Sequence, residues 1–96
     1  KSLEILNFDE LEVPWFIDSF IGNKTLKKLI LKKLDTNNIG YRDAYPPLSS
    51  QKYLKNIVKT DLTNSLKTKG KIIWLPSSNG LSKAEINRVA SVLNTL

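Results

Sequence analysis

Apolar residues in two stretches of this chain recur at helical spacing. Leu26, Leu29, Ile30 and Leu34 fall three or four residues apart and line up on one helix face. Lys24, Lys27, Lys28, Lys32 and Lys33 cover most of the rest. Asn23 stands at the N-cap position, and Asn37-Asn38 tolerate the left-handed backbone that ends helices. The spacing predicts a helix from about residue 24 to Leu34 or Thr36. A second helix opens at Ser82, which forms a capping box with Glu85, flanked by Leu81 and Ile86 as a hydrophobic staple. Ile86, Val89, Ala90, Leu93 and Leu96 make its expected buried stripe.

Strand signals lie between. Val13 to Ile21 is rich in β-branched and aromatic residues, with Pro14 confined to a strand start or edge. Ile39 to Ala44 is a short strand candidate, and Lys71 to Pro76 reads as a strand that Pro76 stops. Tyr45 to Gln51 contains two consecutive prolines, which favour an ordered extended loop over a helix. Tyr53, Leu54, Ile57, Val58, Leu62 and Leu66 form a broken amphipathic pattern, consistent with one or two short helices ending at Gly70. Residues 1–12 read as a linker or irregular start, in which Leu3, Ile5 and Leu6 can make a short edge strand. Residues 13–96 read as one small domain. The order of elements predicts an α+β fold: a short, mostly antiparallel or mixed sheet with helices packed on one face. Trp15 and Trp74 are expected mainly in its core.

Composition narrows the chemistry. The chain has 96 residues, 41% apolar and 25% charged, ordinary for a soluble domain. It contains neither Cys nor His, which excludes disulfides, His-assisted hydrolytic triads and the usual zinc ligand sets. The glycines are isolated, so no phosphate loop or dinucleotide fingerprint exists. No secretory signal or membrane-length apolar run is seen, and a cytoplasmic location is expected. The chain opens at Lys1 and lacks Met, so an excised piece of a longer protein is expected. Net charge is +6, but the only arginines are Arg42 and Arg88. Lysine is the poorer residue for planar, bidentate recognition of phosphates and bases. The lysines of the first helix read as a solvated face, with a polyanion-binding stripe as the alternative.

One segment carries candidate binding chemistry. Between Tyr41 and Tyr53, Arg42 can clamp a carboxylate or phosphate, Tyr45 and Tyr53 offer flat faces and hydroxyls, and Ser49 and Gln51 are neutral hydrogen-bonding groups. The same residues also fit an ordinary rigid turn, with Arg42 paired to a neighbouring carboxylate.

The ordered motifs Val-Pro-Trp-Phe (13–16), Ile-Gly-Tyr-Arg (39–42), Tyr-Pro-Pro-Leu (45–48), Gln51, Tyr53, Ile-Trp-Leu-Pro (73–76) and Leu-Ser-Lys-Ala-Glu-Ile (81–86) resemble the C-terminal end of the DegT/StrS sugar aminotransferases, of which the perosamine synthetases are a familiar type. The resemblance spans about residues 12 to 96. It implies the C-terminal small domain of a fold-type-I pyridoxal-phosphate enzyme that moves an amino group, usually from glutamate, to a keto sugar on a nucleotide diphosphate. The parent is then a homodimer, and the Schiff-base lysine lies in a large domain of the same chain. No cofactor, catalytic residue or metal ligand is assigned to these 96 residues, which alone are expected to be inactive. Arg42 matches the family's Arg after the small-domain helix, and Tyr45, Pro46, Pro47, Leu48 and Gln51 match the loop that follows, which the resemblance implies is a substrate-facing wall. Ser49 stands where His is common, and Tyr41 where Thr is common. Two other readings stand beside this one: a free-standing basic module for nucleic acid or another polyanion, with nucleic acid the less expected partner, and a domain of the same ancestry that has lost catalysis.

Overall fold

Four short strands pair into one antiparallel sheet in the computed structural model, which describes residues 3–54, 56, 57 and 60–96. The strands are β1 (Leu3–Ile5), β2 (Ile17–Ile21), β3 (Arg42–Asp43) and β4 (Ile72–Leu75), in spatial order β1-β2-β4-β3. Helices α1 (Lys24–Thr36), α2 (Thr63–Thr68) and α3 (Lys83–Asn94) connect or follow them. The fold is the α+β class that the element order predicts. No helix among the described residues is long and apolar enough to cross a membrane.

Each α1 end is fixed by its own residues. The Asn23 side chain accepts from the backbone N–H groups of Thr25 (2.7 Å) and Leu26 (3.2 Å). At the other end Asn38 takes φ 53°, which lets Ile39 N–H reach back to Leu34 O (2.9 Å) and Asn38 N–H to Asp35 O (3.0 Å). This is a Schellman turn with Asn in the glycine position. It draws Ile39 into the core beside Leu34, so the expected strand at 39–44 shortens to Arg42–Asp43. The expected strand at 13–21 likewise begins only at Ile17. Ile17 faces Leu75, the last residue of β4 before Pro76, so the residues ahead of it have no ladder partner on that side. Leu3–Ile5 is the edge strand, paired in the register Leu3↔Ile21. Within the expected helical region 53–69, α2 covers Thr63–Thr68, and Gly70 at φ 71° turns the chain into β4. Val58 lies outside the described residues.

Side chains alternate across the sheet with period two. Ser19, Ile21, Ile73 and Leu75 are buried on the face that meets Ile30 and Leu34 of α1 and Ile39. Each fully buried Ile or Leu contributes roughly 1.5–3 kcal/mol by leaving water. Leu29, read as part of the apolar face of α1, is 56% exposed, and Leu31 is half-buried against the core instead. The stripe of α3 is also less buried than its pattern predicts. Val89, Val92 and Leu93 rest half-buried against the core, whereas Ile86 and Leu96 are exposed. An apolar groove of about 440 Å³ separates part of α3 from Ile5, Ile17 and Leu75, and Ile86 lines it.

Candidate functional site

The second face of the sheet carries the chemistry. Asp18 on β2, Trp74 on β4 and Arg42 on β3 are direct ladder partners, Asp18↔Trp74 and Arg42↔Trp74. They form one row across three strands, and alternation places them opposite the face that buries Ser19 and Ile73. The Trp74 indole N–H donates to Asp18 Oδ1 over 2.7 Å. Strands are spaced about 4.8 Å apart, so the backbones of Asp18 and Arg42 stand about 10 Å apart with the indole between them. Among the described residues the Arg42 guanidinium makes no hydrogen bond or ion pair, and Arg42 is exposed. Asp43, its neighbour, alternates to the other side and pairs with Lys27 of α1 instead.

Aromatic rings gather around this row. Phe16 stacks on Trp74 with centroids 3.9 Å apart and planes 6° apart. Trp15 lies near-parallel to Phe16 at 5.6 Å and 12°, and Tyr45 meets Trp74 edge-on at 4.9 Å. Offset-parallel and edge-on arrangements are those the ring quadrupoles favour. The two tryptophans expected in the core are therefore elsewhere. Trp74 is half-buried on the opposite face because it occupies an even position of β4, and Trp15 is 85% exposed because it precedes the paired part of β2. The alternation Ile73, Leu75 against Ile72, Trp74 carries this signal in the sequence, once Ile73 is known to face inward. An open hollow of about 370 Å³ lies among Phe16, Tyr41, Arg42, Trp74 and Ser77.

The residues singled out from the sequence divide between places. Arg42 and Tyr45 both flank Trp74. Ser49 lies in the short 3₁₀ turn Leu48–Ser50, and its hydroxyl is buried without a hydrogen-bond partner among the described residues. It lines a different hollow, with Pro47, Ile57 and Leu62. Gln51 ends the same turn, its N–H donating to Leu48 O at 3.0 Å and its carbonyl accepting from Leu54 N–H at 3.0 Å. Tyr53 is 74% exposed, and its ring joins neither hollow.

Three of the described lysines are half-buried: Lys27, Lys33 and Lys71. The Lys27 amine donates to Asp43 and to the Gly70 carbonyl, and that of Lys33 to the Thr95 carbonyl (2.7 Å). Lys71 Nζ lies 6.0 Å from the Phe20 ring centroid. Tyr41 sits beside Asp35, with its hydroxyl 3.4 Å from Oδ2. Desolvation first, then the charge of Asp35, raises the Tyr41 phenol above its usual 10.0. It is thus a neutral hydroxyl at physiological pH, at the edge of the Arg42 hollow. The constellation can bind an anion and a flat or hydroxylated group side by side. Among the described residues no group of three or more acidic side chains is placed to hold a metal ion.

No curated protein matches the chain. The model of the DegT/DnrJ/EryC1/StrS aminotransferase family matches residues 12–94. That span takes in β2, α1, α2, α3 and the Asp18–Trp74–Arg42 row. Members of this kind are pyridoxal-phosphate-dependent transaminases, and on that match this chain belongs to the DegT/DnrJ/EryC1/StrS aminotransferase family.

Proposed function

We propose that this chain is the C-terminal small domain of an enzyme that aminates a keto nucleotide sugar, of the perosamine type used in lipopolysaccharide O-antigen or related glycan synthesis. The observation that carries this reading is the Arg42 guanidinium, unpaired among the described residues and flanked by Trp74 and Tyr45 on the sheet face opposite the α1-covered core, in a chain of aminotransferase family. A free guanidinium beside aromatic rings suits an anionic substrate with a flat or hydroxylated body.

Pyridoxal phosphate, when bound, supplies the carrier for the amino group. Among the described residues the amines of Lys27 and Lys33 are taken up by structural bonds, and none of the half-buried lysines lines the Arg42 hollow. The Schiff-base lysine belongs in this reading to a large domain of the same polypeptide, in a cytoplasmic homodimer that takes its amino group from glutamate. What this chain contributes is substrate binding. Arg42 meets the anionic end, and Tyr45 and Trp74 exclude water from one side of it. Ser49, Gln51 and Tyr53 complete the wall only if the loop after Pro47 closes toward Arg42.

The test is made in the enzyme that carries this segment. Pyridoxal-phosphate absorbance and glutamate-dependent amination of a nucleotide-linked keto sugar are expected, with neither in the 96-residue chain alone. Arg42→Ala lowers kcat/KM by roughly 10- to 100-fold, as expected for one lost charge-assisted bond. An enzyme that aminates only free amino-acid-derived ketones, or that ignores Arg42→Ala, overturns the proposal.

A further inference from the structure

Nine asparagines are spread along the chain, and Asn79 alone is followed by glycine. The pair occupies the centre of the turn between β4 and α3, which Leu81 N–H closes by donating to Ser78 O over 3.1 Å. Asn79 and Gly80 are both exposed. Among the described residues the Asn79 side-chain amide makes no hydrogen bond, and the Gly80 N–H meets only Ser78 Oγ, over a long 3.3 Å. Asn38 is the contrast: the residue after it is the β-branched, buried Ile39, whose N–H is held by Leu34 O at 2.9 Å. Asn23 and Asn37 spend their side chains on the two ends of α1. The fold does not ask for glycine at position 80. Its φ lies outside the left-handed region, and a Cβ there would meet only Ser78 Oγ at 3.8 Å, an ordinary contact.

We propose that Asn79–Gly80 is a site of spontaneous modification, at which the turn rearranges to isoaspartate and loosens the entry to α3. The Gly80 nitrogen gives its proton to solvent and attacks Asn79 Cγ. The N–Cγ bond forms, the Cγ–Nδ2 bond breaks, and the amide nitrogen takes a proton from solvent and leaves as ammonia. A five-membered succinimide remains. Water then adds to one of its two carbonyl carbons and the ring opens, with no change of oxidation state. Opening at Cγ gives aspartate, and opening at the main-chain carbonyl gives isoaspartate, in which the backbone runs through Cβ and Cγ. Ring closure is favoured because the two atoms belong to adjacent residues, and the missing Cβ of Gly80 leaves the approach unhindered. Either product lowers the net charge of +6 by one. Isoaspartate also adds one methylene to the main chain inside the loop that the Leu81–Ser78 bond closes. Leu81 and Ile86 line the apolar groove with Ile17 and Leu75, so the change reaches the packing of α3 on the sheet. The inference does not depend on the aminotransferase reading.

The test incubates the enzyme that carries this segment in neutral and in mildly alkaline buffer and digests it with trypsin. Cleavage after Lys71 and Lys83 releases residues 72–83, in which Asn79 is the single asparagine and glutamine is absent. The mass gain of an amide-to-acid exchange in this peptide therefore reports on one residue, and methylation by an isoaspartyl methyltransferase separates isoaspartate from aspartate. A sample digested at the start corrects for conversion during digestion. Conversion is expected to rise with pH, because the attacking nitrogen must lose its proton, and to give isoaspartate as the larger product. Gly80→Ala is expected to slow it about tenfold or more, with an unchanged circular dichroism spectrum. The isolated isoaspartyl form is expected to unfold at lower urea than the parent, whereas Asn79→Asp, which adds the charge without the methylene, unfolds with the parent. No conversion in the folded enzyme, over a time in which the urea-unfolded chain converts, overturns the site; covering of the turn by another part of the enzyme would give this result. A rate that Gly80→Ala leaves unchanged overturns it as well. Equal urea midpoints for the isoaspartyl form and Asn79→Asp overturn the loosening of the turn.

Discussion

Trp74 donates its indole N–H to Asp18 directly across the β2–β4 ladder, at 2.7 Å and between residues 56 apart in the chain. That bond holds the acid away from Arg42, the partner of Trp74 on its other side. One indole therefore satisfies a carboxylate and keeps a guanidinium free of it. The same ring is the base on which Phe16 stacks and against which Tyr45 rests.

Asp18→Ala is expected to lower stability by about 1.5–3 kcal/mol, the range for a hydrogen bond to a charged group, and Asp18→Asn by less, since an acceptor remains. Urea unfolding followed by tryptophan fluorescence measures both. Equal stability of Asp18→Ala and the parent chain would show that the bond contributes nothing.

Lys27 is part of the fold rather than part of a free basic stripe. Its side chain is 14% exposed and joins Asp43 of β3 to the Gly70 carbonyl ahead of β4. Lys27→Met should therefore destabilise by about 1–2 kcal/mol, more than a fully exposed ion pair would. Lys28→Met and Lys32→Met, on the exposed side of α1, should stay within about 0.5 kcal/mol. Heparin retention of the Lys28 and Lys32 variants at low and high salt then reports on polyanion binding without interference from unfolding.

Ser19 occupies the centre of β2 with its hydroxyl buried and unpartnered among the described residues. Removing a buried hydroxyl that has no partner also removes its desolvation penalty. Ser19→Ala is expected to be neutral or to stabilise by about 1 kcal/mol, partly offset by the lower strand preference of Ala. A thermal midpoint lowered by several degrees would instead reveal a hydrogen bond to that oxygen.

The capping box of α3 makes a prediction about acid. Glu85 Oε2 accepts from the Ser82 backbone N–H (2.7 Å) and from its hydroxyl (2.8 Å). The backbone bond first, then the hydroxyl, lowers the carboxyl below its ordinary 4.5. A carboxyl lowered on folding adds stability that is present above its unfolded pKa and disappears as pH falls through the folded value. The loss therefore falls in acid, below about pH 4.5. Glu85→Gln should flatten that part of the stability–pH curve, measured by circular dichroism between pH 2 and 7. A curve unchanged by the substitution would mean the carboxylate bonds are not maintained in solution.

Much of the local structure was legible in the sequence because it depends on neighbours. The Asn23 cap, the turn at Asn37-Asn38 and the Ser82–Glu85 box are each closed by groups within five residues, and each is present. Strand lengths were less legible. Ile39 reads as strand by residue type, but its N–H is taken by Leu34 at the end of α1. The binding candidates were legible as a group of residue types and not as an arrangement. Arg42 and Tyr45 share Trp74, while Ser49 lies in another hollow. Trp15 and Trp74 were misplaced because large apolar rings are usually buried, and only the pleat tells which side of a strand they occupy.

The ends of α1, the start of α3, a short sheet expected as antiparallel or mixed and, through the ordered motifs, the aminotransferase family can all be read from the chain alone. These follow from short-range hydrogen bonding and from the order of residues along the chain. That Asp18, Trp74 and Arg42 form one row, with Trp15 exposed beside it, emerges only from the folded sheet. Register between strand partners thirty or more residues apart is set by the burial of Ile73 and Leu75 against α1, a long-range constraint that no short window of the chain contains.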